Sequence, residues 1–197
     1  MKKNIYPTFL FLLLFFLNSF KQAQAYDLGV SLGNLCEYVG KIQTDDKGST
    51  NLCSFNPYLS TSFDYDVYPQ LILSPEIGFS FPKTGRDQKI STMSFIALGN
   101  AKYTFSMFHF LAGAGFFINR IAGAGGTQDL NNGTGTVSFP MPESTIYSRN
   151  FILNLGLGAD FNKDWSADVH TYIFNLLKSE DRAYSVALNG TYHFGEF

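Results

Sequence analysis

The sequence predicts an all-β chain: eight antiparallel strands closed into an up-and-down barrel that crosses a membrane with its strands. Three observations carry this. Eight stretches alternate apolar residues with small or polar ones at period two. The connections between them alternate between tight turns and longer, more polar loops. The chain is 45% hydrophobic and 17% aromatic, with 18 glycines and only 15% charged residues. Beyond its N-terminal leader it holds no apolar run of the roughly 20 residues that a helical span needs.

The leader comes first. Met1-Lys2-Lys3 is a short positive start, Ile5 to Leu17 an apolar run, and Ala23-Gln24-Ala25 a small-x-small cleavage site. This is the pattern of a secretory signal peptide spanning residues 1–25, cleaved from a single domain spanning 26–197. No Cys follows the cleavage site, so a lipoprotein anchor is not expected. The formal net charge is −2 and no basic run follows the leader, so no nucleic-acid partner is expected.

Eight strands follow, at about Tyr26–Tyr38, Cys53–Val67, Leu71–Pro82, Ile90–Tyr103, Phe108–Ile121, Arg149–Phe161, Trp165–Leu177 and Ala183–Phe194. Most exceed the roughly 5–6 residues of soluble strands and suit the ~9–11 that a tilted membrane strand needs. In the third, Leu71, Leu73, Ile77, Phe79 and Phe81 oppose Ser74, Glu76, Gly78 and Ser80. In the sixth, Phe151, Leu153, Leu155, Leu157 and Phe161 oppose Asn154, Gly156, Gly158 and Asp160. Tight turns are expected at Tyr68–Gln70, Thr104–Met107 and Asn162–Asp164, with larger loops on the other side. A soluble lipocalin-like barrel has the same strand count but turns its apolar parity inward. The Gly, Ser, Asn and Asp of the second parity make a poor watery coat and a good lining for a narrow barrel.

The last strand places Val186, Leu188, Tyr192 and Phe194 on one face, with Ser185, Ala187, Asn189, Thr191 and His193 on the other. It ends in aromatics, which suit the headgroup level of a bilayer. Tyr192-His193-Phe194-Gly195 resembles the closing strand of small bacterial outer-membrane proteins of the OmpA, OmpX and OmpW type. That resemblance implies an outer-membrane address, an eight-stranded barrel, and a C-terminal assembly signal on Tyr192, Phe194 and Phe197, the last out of phase with Phe194. It also implies partners: outer-membrane lipids and lipopolysaccharide, the barrel-assembly machinery, and surface ligands met through the loops. No peptidoglycan-binding domain is expected after the barrel.

Two cysteines, Cys36 and Cys53, are expected to form a disulfide in an exported protein. A register in which Cys36 faces Cys53 sets Asp27 opposite Ser62, Leu28 opposite Thr61 and Ser31 opposite Tyr58. Asp45 and Lys47-Gly48 then fall at the hairpin tip.

The inward parity carries Asp27, Asp64, Asp66, Glu76, Lys102, His109, Asp160, Asp168, His170 and His193. Enclosed charges must be paired or hydrated, so an inner polar plug is expected. Turn arithmetic sets Asp160 opposite Asp168, Lys102 opposite His109, and His193 opposite Ser166 and within reach of Asp168. Barrels resembling PagP or PagL modify lipid A, the latter with a Ser–His–acid set. Here His170 has Tyr172, not Ser, two residues on, and no such pattern stands out. No enzyme activity, catalytic residue, cofactor or metal site is therefore expected.

The longest loop, Ala122–Ser148, is rich in Gly, Asn, Ser and Thr and is expected to be a mobile surface loop, with Phe139-Pro140-Met141-Pro142 folding over as a cap. Gly123-Ala124-Gly125-Gly126 lacks the Lys-Ser/Thr of a phosphate cradle. Two functions are expected. One is a structural or surface-interaction role through the loops; the other, implied by OmpW-like resemblance, is a narrow channel for small or apolar solutes.

Overall fold

The computed structural model describes residues 26–39, 43–44, 50–51, 53, 55–84, 90–131 and 135–196. The leader, the expected hairpin tip at 45–48 and Phe197 lie outside the described residues. Eight long strands build the wall: β1 (Tyr26–Val39), β2 (Pro57–Tyr68), β3 (Leu71–Ser80), β4 (Ile90–Phe105), β5 (Phe108–Gly123), β6 (Ile146–Asp160), β7 (Trp165–Phe174) and β8 (Ala183–Glu196). Each pairs antiparallel with its sequence neighbours, β1 pairs with β8, and the ring is closed. Closure leaves no edge strand with unpaired backbone, the condition for crossing a lipid core with strands.

The tight turns share one end. Ser106-Met107 links β4 to β5 with Ser106 at φ 56°, and Phe105 faces Phe108. In the turn after β6, Asn162 Oδ1 accepts the backbone amides of Asp164 (2.8 Å) and Trp165 (3.0 Å), an Asx turn that fixes the reversal locally. Larger connections fill the opposite, loop end. There the expected loop Ala122–Ser148 is shorter and carries strands of its own: β5 runs on to Gly123, β6 begins at Ile146, and Thr127–Asn131 pairs with Thr136–Pro140. Period-two reading missed this hairpin because Gly, Asn and Thr dilute its alternation. Met141 beside it is buried, and its amide bonds Gly126 O at 2.9 Å.

Cys36 and Cys53 form a disulfide, Cα–Cα 5.0 Å, although the expected ladder is corrected. The first hairpin pairs Asp27 with Asp64, Leu28 with Phe63 and Ser31 with Ser60. That is a slip of two residues, so the bridge lies beyond the last ladder pair, Asn34–Pro57.

The outward parity is apolar. Leu32, Ile77, Phe116, Phe151, Leu155, Leu157 and Leu188 are all more than half exposed. Aromatics gather toward the ends: Trp165, Tyr192 and Phe194 in succession at 5.0 Å between centroids, and Phe79 with Phe81 at 5.5 Å. Such an exterior costs free energy in water and none in hydrocarbon.

Candidate functional site: a lumen closed in two storeys

The inward parity fills the barrel in two storeys of opposite character. Toward the tight-turn end lies a chain of charged groups. Asp64 accepts a hydrogen bond from Ser74 Oγ (2.5 Å) and pairs with Lys102 Nζ (3.4 Å). Lys102 also stands 3.8 Å from Asp160 Oδ1, which belongs to the carboxylate that meets His109 Nδ1 at 3.2 Å. His109 Nε2 reaches Asp168 Oδ1 at 2.5 Å, and Thr191 Oγ1 donates to the other Asp168 oxygen at 3.3 Å. His109, only 1% exposed, thus bridges two acids from β6 and β7. A second chain runs beside it. Tyr58 and Asn100 donate to Glu76 at 3.2 and 3.4 Å, and Asn154 donates to Asn100 at 2.9 Å and touches His170 Nδ1 at 3.1 Å.

Three expected pairings are corrected. Asp160 faces Ser166 and Asp168 faces Gly158; the two acids meet through His109 and not across the ladder. Lys102 faces Leu111, and His109 faces Thr104. His193 lies beyond Thr191, the residue facing Ser166, and its carboxylate partner is Asp27, not Asp168. Asp66 leaves the cluster altogether: it is exposed next to an irregularity in the β2–β3 ladder. Asp27, Asp64, Glu76, Lys102, His109, Asp160, Asp168, His170 and His193 do line this storey, with Asp27 and Asp160 half-buried.

The turn arithmetic sets His193 against Ser166, and the two do touch: Ser166 Oγ lies 3.0 Å from His193 Nε2. What sequence did not show is the third member, Asp27, whose Oδ2 lies 2.8 Å from His193 Nδ1. The order is that of a nucleophilic triad, but the geometry is that of a brace. Nδ1 makes no directed hydrogen bond despite the short distance. Ser166 is buried, and the adjoining cavity of about 30 Å³ has room for a water or two and none for an acyl group. Among the described residues no group of three or more His, Cys, Asp or Glu is arranged to hold a metal ion.

The storey toward the loop end is apolar, a feature the sequence reading missed. Leu35, Ile96, Leu98, Phe117, Ile152 and Phe174 point inward and are buried. Phe117 packs edge-on to Phe174 at 5.0 Å and against Tyr172 at 6.2 Å. Tyr38, held at φ 52° where the β1–β8 register shifts, turns its ring over Phe174 at 5.6 Å. Above it, Asn119 bonds Tyr38 OH and Ser94 Oγ, each at 2.7 Å, and Ser94 also bonds Glu37. These groups collar the top of the apolar layer.

An apolar outer wall, end-weighted aromatics and a filled lumen define the class: a small eight-stranded antiparallel barrel with the exterior of one that crosses a membrane. No protein-family model and no curated protein matches the sequence. Among solved structures, the barrel is similar to Ail, the attachment invasion locus protein of Yersinia pestis, in complex with the heparin analogue sucrose octasulfate. That match has a TM-score of 0.50 at 9% identity, over 86% of this chain and 97% of Ail. The N-terminal barrel domain of Pseudomonas aeruginosa OprF (TM-score 0.47, 12% identity, 88% of this chain and 100% of that one) is also similar. So is Neisserial surface protein A (TM-score 0.47, 12% identity, 87% and 97%). At these identities the likeness is one of fold.

Proposed function

We propose that this chain is an integral outer-membrane protein whose barrel is a closed anchor and whose loop end meets surface partners. The observation that carries this is the two-storey filling of the lumen: polar groups packed around a cavity of about 30 Å³ and an apolar layer around Phe117 and Phe174. A hydrated ion would have to cross both. With the lumen filled, loops are the surfaces free to vary and to bind. The tight turns then face the periplasm and the long loops the outside, the usual orientation of such barrels.

On this reading residues 1–25 are removed on export, and N-terminal sequencing of the mature protein reads Tyr26 first. The assembly machinery takes its signal from the outward-facing Tyr192 and Phe194, and from Phe197. The wall contacts outer-membrane lipid and lipopolysaccharide. Purified protein in planar bilayers should show no unitary conductance. Reproducible single-channel steps would instead support the narrow-channel role.

A further inference from the structure

Resting on the membrane reading above, we infer that the outer wall carries a binding site for a phosphorylated lipid, with Arg120 and Arg149 holding the headgroup phosphate above an acyl-chain groove. On the lipid-facing parity, Ile118 of β5 faces Arg149 of β6, and Arg120 faces Tyr147 one pleat repeat further up. The two guanidiniums therefore start from diagonal positions on one face, about 7–8 Å apart and within reach of one another's ligand. Both lie near the loop end, beyond the Phe116–Phe151 pair (6.0 Å) on the same face. Among the described residues neither makes an ion pair or a side-chain hydrogen bond. Two adjacent cations without a protein counter-charge repel one another unless an anion joins them.

The second observation is independent of charge. An open groove of about 460 Å³ crosses the same wall from β2 to β5, lined on its outward side by Leu59, Ile77, Phe79, Phe95, Ala97 and Ile118. Its volume falls within the roughly 300–1,000 Å³ of ligand sites, and its lining is almost wholly apolar. Ile118 joins the two features: it lines the groove, faces Arg149, and sits two residues from Arg120. A second hollow adjoins it toward the tight-turn end, sharing Ile77 and Ala97 with the groove, where the small Ala97, Gly99 and Ala114 border Phe116. Guanidinium forks match phosphate oxygens in bidentate fashion. Their alkyl stems lie along apolar surface while the heads reach the interface. A lipid with an anionic phosphate head and a saturated chain satisfies both parts at once, whereas free phosphate satisfies only the first.

The test uses the full chain folded in micelles, with lipid retention read by native mass spectrometry. Diphosphoryl lipid A, its phosphate-stripped form and inorganic phosphate are the probes. Wild type should retain diphosphoryl lipid A at least tenfold more strongly than the Arg120→Gln, Arg149→Gln double variant, and stripping the phosphates should cost wild type a similar factor. Ala97→Phe, with both arginines intact, should also weaken retention, and millimolar inorganic phosphate should not displace the lipid. Equal retention by the double variant, no effect of Ala97→Phe, or full displacement by inorganic phosphate would each overturn the site. Heat-modifiable gel mobility verifies that each variant is folded. A chain that inserts into vesicles yet holds both lipid forms alike overturns this inference alone. A chain that never inserts overturns the membrane reading with it.

Discussion

Gly158 fixes how closely His109 can approach the barrel wall. A Cβ there would collide with the His109 ring and the Asp168 carboxylate, groups that neighbouring hydrogen bonds already hold. Gly158→Ala should therefore destabilise the barrel by about 1–3 kcal/mol, the usual cost of overpacking. Gly190 is the control: it faces outward on β8, and an added Cβ meets nothing closer than 4.0 Å, so Gly190→Ala should stay within roughly 0.5 kcal/mol. His109→Ala removes one partner from each of two acids and leaves Asp168 the Thr191 hydroxyl in place of an imidazole. Its loss should approach the ~3–5 kcal/mol of a broken buried pair. Urea unfolding midpoints of the folded protein check all three. Equal midpoints for Gly158→Ala and Gly190→Ala would refute the close-approach argument.

At the level of strands, the sequence showed which face each residue takes but not what stands opposite it. Four hairpin registers lie two residues from expectation: β4–β5, β6–β7 and β7–β8, expected from turn position, and β1–β2, expected from facing Cys36 with Cys53. The cause is physical. A slip of one residue turns every oily side chain to the wrong face, whereas a slip of two leaves the alternation intact. Only turn geometry distinguishes the registers, and the positive φ at Ser106 and the Asx turn at Asn162 are not legible in period-two counting. The Cys36–Cys53 pairing was legible for a different reason, since two cysteines in an exported chain admit one partner each. Their bridge closes a separation of 17 residues, worth about 3 kcal/mol in the chain-entropy model. Cys36→Ala with Cys53→Ala should lower the unfolding free energy by no more than that, and the barrel should still show heat-modifiable mobility. A double variant that fails to close at all would mean that the bridge directs folding of the first hairpin.

For the whole molecule, the alternation that defines the outside was plain in the sequence, and the layering of the inside was not. The apolar storey is made of Leu35, Ile96, Leu98, Phe117, Ile152 and Phe174, one or two on each of five strands, and Leu35, Phe117 and Ile152 stand among small or polar residues of the same parity. Only closure of the ring brings them to one height. What most directly tests the whole arrangement is the sign of the outer face. Leu155 lies near the middle of β6, faces outward and is 53% exposed; in a bilayer it sits at hydrocarbon depth. Phe161, 65% exposed, stands just past the end of β6 at the turn. An arginine costs about 2–4 kcal/mol at the bilayer midplane of a barrel and only ~0–1 near the interface. Leu155→Arg should thus lower stability in lipid vesicles by several times the effect of Phe161→Arg. In water the order would vanish, because an exposed leucine loses little on becoming an arginine there. Equal effects in vesicles would mean that the Leu and Phe rows do not face acyl chains, and the location, the closed anchor and the lipid site would fall with them.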